Sequence, residues 1–251
     1  MNGWEAVAVI AAGMGAGAVN AVVGSGSLIT FPTLLAVGYT PITANVSNNI
    51  GLVPGSISGT LGYRRELEGQ GARARTLAVG SATGSLIGAV LLLTLPSEVF
   101  DTIIPILVLG AGLLMAVQPR LTRWVAGRRK HDARDVGAAP IAIAFFAGIY
   151  GGYFGAAQGI ILLAMLSVFV PDEMKRSNAL KNLLAGTVNA VAAVLFIIFA
   201  DVAWEAVALI AVGAIVGGVL GARVGRRINP TLLRAIVVVL AVGVAIKLML
   251  D

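Results

Sequence analysis

The sequence predicts an all-α, polytopic integral membrane protein with two inverted-topology repeats, each of about five hydrophobic segments and each holding short broken or re-entrant helices. Three observations predict it. Hydrophobic residues make up 58% of the chain and charged residues only 12%, with a mean hydropathy of +0.93, which leaves too little polar surface to cover a water-soluble globule. Asn45 and Asn49 recur at the same spacing in the second half as Asn178 and Asn182, with Lys181 between the second pair. Basic residues gather in short runs between apolar stretches, the pattern of cytoplasmic loops.

A helix needs about 20 predominantly apolar residues to cross a bilayer, and the stretches 75–95, 101–118, 203–222 and 231–250 qualify directly. Regions 5–63 and 138–199 are too long for one span, and glycine clusters with Pro41 or Pro171 divide them. The first reads as pieces 5–22, 28–38 and 43–63, the second as 138–154, 159–170 and 176–199, the middle piece of each being too short to cross comfortably. The division is therefore a first repeat at 1–118, a basic linker at 119–137 and a second repeat at 138–251.

Charge sets the expected orientation. Loops 64–75, 119–135 and 223–229 hold most of the arginines and read as cytoplasmic, while Glu5, Glu98, Asp101, Asp201 and Glu205 mark exterior connections. An exterior N-terminus and a cytoplasmic loop at 64–75 require an odd number of crossings, and three fit the length, so the second repeat enters from the opposite side. Both termini are expected outside a plasma membrane. Parity alone places the connection 171–176 inside.

Composition also excludes classes. The net charge of +6 follows from loop topology and not from nucleic-acid binding. With no cysteine and a single His131 in a charged loop, no metal site, redox centre or cofactor is expected, and no acid pair or nucleophile–base arrangement points to an enzyme. Met1-Asn2-Gly3-Trp4-Glu5 lacks a basic n-region, so the first apolar stretch is expected to be a retained span.

Lys181 is the outstanding residue, because ionisable groups inside spans are costly and face a bundle interior or water. It either meets an anion or a polar cavity, or it snorkels from the cytoplasmic third to the interface. Helical spacing places Asn45, Asn49 and Ser56 on one stripe with Asn48 beside it, and Asn178, Lys181, Asn182 and Asn189 on the matching stripe. These stripes line a polar cavity at the repeat interface or act as interhelical glue. Breaking a helix exposes N–H groups that attract anions; Ser25, Gly26 and Ser27 open one such piece, Gln158 and Gly159 the other, and Asn20 lies beside the first break. Tight glycine packing is the alternative.

These residues carry a resemblance: Gly24-Ser25-Gly26-Ser27-Leu28 with Pro32, the run Thr43 to Asn49, Gly62-Tyr63-Arg64-Arg65, and Gly151-Gly152-Tyr153-Phe154-Gly155 with Lys181 and Asn182. Over nearly its whole length the chain resembles the TauE/SafE family, the sulfite exporter or anion permease group, also called the toluene sulfonate uptake permease family. The resemblance implies a plasma-membrane protein of two repeats that moves sulfite, sulfonates or related sulfur and organic acids. The chain departs from it at Ser25 and Ser27, where many relatives have glycine, and at Val46, where many have lysine. The expectation is a secondary transporter of small anions working by alternating access, with a passive anion channel or a membrane assembly partner as alternatives. The partners expected are a small anion and the lipid bilayer. Lys181 is the one evident titrating group in the spans, which makes protons a candidate coupling ion. Substrate identity, direction and oligomeric state are not encoded in these patterns.

Overall fold

A computed structural model describes residues 1–126, 137–170, 172–224 and 230–250, and every regular element among them is helical. The order is α1 (Gly3–Val22), α2 (Ser27–Ala36), α3 (Pro41–Gly62), a 3-10 turn (Arg64–Leu67), α4 (Gly71–Thr94), α5 (Ser97–Ala126), α6 (Ala138–Tyr153), α7 (Gln158–Phe169), α8 (Met174–Phe199), α9 (Trp204–Val224) and α10 (Pro230–Leu250). The starts of α3 and α8, of α4 and α9, and of α5 and α10 are all separated by one constant offset, the same that relates Asn45 to Asn178. Local chemistry sets several of these starts. Asn2 and Glu5 form a reciprocal capping box on α1, and Thr40 caps α3 ahead of Pro41.

Among the described residues, five helices are long and apolar enough to span a membrane: Gly3–Val22, Gly71–Thr94, Ser97–Leu121, Met174–Phe199 and Trp204–Arg223. Leu113, Phe146, Ile198 and Val239 are exposed on the outer surface, which suits hydrocarbon and not water. Exposed Trp4 and Trp204 at one end and Trp124 at the other occupy the levels of interfacial aromatic belts. The chain is an all-α polytopic membrane protein. The short α2 and α7 are only about 15 and 18 Å long at 1.5 Å per residue, so neither crosses.

Glycine decides the packing. Gly80, Gly84 and Gly88 of α4 lie against Ile141, Phe145 and Ile149 of α6, and Gly213, Gly217 and Gly221 of α9 lie against Ile10, Met14 and Ala18 of α1. Both sets step by four residues in the same sense, so each pair is parallel and in backbone contact, as small-xxx-small stripes allow. α3 joins α9 in the same direction through Gly51 on Ile210 and Gly55 on Ala214, and α8 packs on α4, where Ser85 Oγ donates to the Val188 carbonyl at 2.7 Å. Two bundles result, α1–α3–α9 and α4–α6–α8, and each borrows helices from both repeats. Between them α3 and α8 run antiparallel, Asn49 meeting Asn189 and Ser56 meeting Gly186. This is the inverted arrangement the parity argument predicts.

The structure extends two of the predicted elements. Residues 119–126, assigned from sequence to the linker, continue α5 despite Pro119; a proline costs the helix one N–H, and Arg123 Nε donates back to the Pro119 carbonyl at 3.2 Å. Arg73 and Arg75, read as loop, belong to the first turns of α4. The remaining linker residues 127–136 with His131, loop residues 225–229 and Pro171 lie outside the described residues.

The connection after α7 is tied to the basic loop after α3. Asp172 pairs with Arg73 at 3.2 Å and Arg176 at 2.8 Å, and Arg176 donates to the Glu68 carbonyl at 3.0 Å. Both segments therefore share one face, as parity requires. Burial acts to raise the Asp172 carboxyl, but hydrogen bonds from Arg176, the Glu173 N–H and Arg73 outweigh it and hold the group below the usual carboxylate range. A depressed value gives stability that is complete above the unfolded value of about 3.9 and is lost as pH falls through the folded one. Asp172→Asn is expected to cost about 1 kcal/mol at neutral pH, and the difference in Tm between variant and parent should begin to shrink below pH about 3.9 and vanish only below the depressed folded value.

Candidate functional site

Each broken helix ends in the same way. At the end of α1 the N–H groups of Val23 and Gly24 both return to the Val19 carbonyl, at 2.7 and 3.0 Å; at the end of α6 those of Phe154 and Gly155 return to the Tyr150 carbonyl, at 2.9 and 3.0 Å. Gly24 and Gly155 take φ of +90° and +79°, which glycine adopts at no steric cost. Gly24 and Gly155 lie slightly closer in sequence than the offset between the repeats requires, and α7 absorbs the difference by having 12 residues to the 10 of α2. The breaks also touch: the Gly159 N–H donates to the Gly24 carbonyl at 3.1 Å, and a Cβ on Gly24 would stand 2.6 Å from the Gly159 Cα.

A helix that stops inside the protein leaves carbonyls facing inward at the negative end of its dipole. The opposite repeat supplies their donors. Lys181 Nζ donates to the Asn20 carbonyl at 2.8 Å, and Nδ2 of Asn178 and of Asn182 donate to the Ala21 carbonyl at 2.9 and 3.2 Å. In the mirror position Asn45 Nδ2 donates to the Tyr153 carbonyl at 2.9 Å. The two asparagine stripes thus cap each other's broken helices, which explains why the sequence repeats them.

Beside these caps lies a small cavity of about 30 Å³. Of the residues singled out in the sequence, Asn20, Ser27, Gln158, Gly159, Lys181, Asn182 and Asn189 line it, and Gly55, Ser56 and Gly59 of α3 form the facing wall. The others surround it without reaching it. Ser25 is fully buried, its Oγ donating to Met115 Sδ; the Gly26 N–H is held by Asn20 Oδ1 at 2.6 Å; Asn48 accepts from Thr30; and Asn49 donates to Asn189 at 3.5 Å. The polar stripe includes Ser56 but gives no place to Gly55 and Gly59. Their spacing of four from Gly51 marks a small-residue face of α3, and that is the signal the sequence offers for them.

Lys181 is completely buried and does not snorkel. No described carboxylate pairs with it, and one hydrogen bond to Asn20 leaves donor capacity on an ammonium that carries three. Gln158, at the start of α7, is also buried, and its Nε2 makes no hydrogen bond. Lys181 and Gln158, the first residue of α7, therefore line one small cavity, and the amide nitrogen beside it is unpaired. That arrangement can bind an anion.

A model of the family described as "Sulfite exporter TauE/SafE" matches residues 9–248. The chain belongs to the TauE/SafE family. Its relatives include the "Probable membrane transporter protein YfcA" of Escherichia coli (strain K12), 29% identical over 238 residues, covering 94% of this chain and 86% of that one. The "Probable membrane transporter protein ORF9" of Sinorhizobium sp is 25% identical over 237 residues, covering 94% and 89%. A "Probable membrane transporter protein" of Haemophilus influenzae is 24% identical over 233 residues, covering 93% and 90%. No solved structure matches the chain. This TauE/SafE chain is a membrane transporter, and the seams between its repeats meet at the Gly24–Gly159 contact.

Proposed function

We propose that this chain is a secondary transporter of small anions, with sulfite and related sulfur oxyanions as the substrate class and the Lys181–Gln158 cavity as the binding site. The observation that carries the proposal is that Lys181, fully buried with no described carboxylate beside it, lines the same cavity as Gln158, whose Nε2 makes no hydrogen bond. An unsatisfied buried donor costs about 1–3 kcal/mol, and a bound oxyanion would satisfy it. The family's description supports sulfite and its chemistry, and the narrow cavity favours small oxyanions over bulky organosulfonates. The chemistry is binding and release, not catalysis.

In this reading the protein lies in the plasma membrane with both termini outside and the arginine-rich loops in the cytoplasm, the orientation that a bias of basic residues sets. Alternating access would move bundle α1–α3–α9 against bundle α4–α6–α8, since these, and not the sequence halves, pack as units. The cavity is walled by the C-terminal half of α3 and by the middle of α8. Access from one side at a time is what a transporter needs and a passive anion channel does not. A non-transporting assembly partner would need no such site.

Thermal shift of the purified protein with sulfite, sulfate, thiosulfate, sulfonates and carboxylates tests this, run beside Gln158→Leu. An apolar replacement of an unpaired donor should make the ligand-free protein more stable, by about 1–3 kcal/mol, and should remove stabilisation by the anion. If sulfite stabilises variant and parent equally, the site is elsewhere.

A further inference from the structure

A second pocket, separate from the transport cavity, opens on the basic face where α3 and α9 end. It is a groove of about 500 Å³ that brings together Arg64, Arg65 and Arg223 with Glu66, Leu61 and Val219. All three arginines are exposed, and none enters a described ion pair. The bias of basic residues toward one face accounts for their number, but not for their convergence on one concave site from two different helix ends. Three arginines against one glutamate leave the lining with two net positive charges.

The apolar side of the groove is continuous with the lipid-facing surface. Leu61 lines it, and Ile57, one turn earlier on the same face of α3, is exposed. On α9, Val216 and Leu220 are exposed beside Val219 in the same way. The site therefore has a cationic mouth at the level of headgroups and an apolar margin descending into the acyl region. A soluble phosphate ester would use only the first part.

We propose that this groove binds an anionic phospholipid, its phosphate held by the guanidinium groups of Arg64, Arg65 and Arg223 and its chains lying along Ile57 and Leu61. The planar guanidinium fork matches phosphate oxygens in a way an ammonium does not, and basic pockets between membrane helices favour such headgroups. The lipid bridges the ends of α3 and α9, so it steadies the bundle whose α3 forms one wall of the transport cavity.

The test uses full-length protein purified in detergent, with phosphatidylglycerol, phosphatidylcholine or inorganic phosphate added, read by native mass spectrometry and thermal shift. Variants are Arg64→Gln, Arg65→Gln and Arg223→Gln, singly and together, with Arg75→Gln as a basic-face control, since Arg75 lies outside the groove and bonds the Gly71 carbonyl. The parent and Arg75→Gln should retain phosphatidylglycerol through washing and gain Tm from it. Each single variant should weaken retention and the triple variant should weaken it roughly tenfold or more, with added salt acting in the same direction. Equal retention of phosphatidylcholine, or full retention by the triple variant, would overturn the proposal. A Tm gain from inorganic phosphate that matches the lipid's and disappears in the triple variant would overturn the lipid as the occupant. If the triple variant fails to fold, the single variants still decide the question.

Discussion

Gly217→Val and Gly84→Val should each reduce the protein to an unstable or aggregating species, while Gly243→Val and Gly110→Val should leave it nearly unchanged. All four are glycines inside apolar helices, and each pair occupies equivalent positions of the two repeats. The difference is what surrounds them. A Cβ on Gly217 would overlap the Met14 carbonyl oxygen, and one on Gly84 would overlap that of Phe145; at Gly110 and Gly243 nothing lies within 4 Å. The clash is with backbone, so no rotamer change relieves it and the helices must separate. Overpacking of this kind costs about 1–3 kcal/mol or more. It also removes the close approach that holds helices together in a membrane, where no hydrophobic force between them compensates. Thermal unfolding in detergent, with gel filtration for dispersity, checks all four variants. Equal behaviour across the set would mean that the α1–α9 and α4–α6 contacts do not hold the two bundles.

The same glycines show where sequence reading stops. The starts of α3, α4 and α5 and of their partners α8, α9 and α10 are legible from hydrophobic length to within a few residues, while the end of α5 runs eight residues past the expected piece. The triplets at Gly80, Gly84 and Gly88 and at Gly213, Gly217 and Gly221 are equally visible and announce two close helix contacts. What they cannot announce is the partner, because every apolar helix presents the same kind of surface. The exchange of α4 and α9 between repeats is therefore legible only in three dimensions. It bears on the proposed mechanism, since a division at the linker does not separate the packed bodies.

The site follows the same rule. Asn45, Asn178, Asn182 and Lys181 stand out as polar groups in apolar helices, so their presence at the centre is legible. Their partners are not: Asn45 meets a carbonyl 108 residues away, and Asn178 one 157 residues away. A carbonyl freed by a helix break has no signature of its own beyond the glycine that makes the break. From the stripe alone, Asn45 and Asn178 are expected to orient an anion. The geometry gives their amide nitrogens a prior engagement as caps, and the groups left facing the cavity with donor capacity are Lys181 and Gln158.

Lys181→Met is accordingly expected to lose anion binding almost completely while the ligand-free protein stays folded. Removing one partner of a buried charge pair costs about 2–5 kcal/mol of binding, a loss of roughly thirtyfold or more. Against this stands the cap that Lys181 provides: without it the Asn20 carbonyl loses its donor, at a cost of about 1–3 kcal/mol to the fold. Offsetting that loss, the parent carries an ammonium that is wholly buried with no described carboxylate beside it, and an apolar side chain of similar length relieves this burden. The two effects on the empty protein oppose each other, so its Tm should change little. The effect on the complex has no such offset. Lys181→Gln separates the roles further, because an amide keeps a donor for the Asn20 carbonyl but supplies no charge. Tm measured with and without sulfite for parent, Met and Gln variants gives the answer. If Gln restores the sulfite-induced shift, Lys181 serves only as the cap of α1 and the anion site must lie elsewhere; if both variants fold and neither responds to sulfite, the charge itself binds the anion.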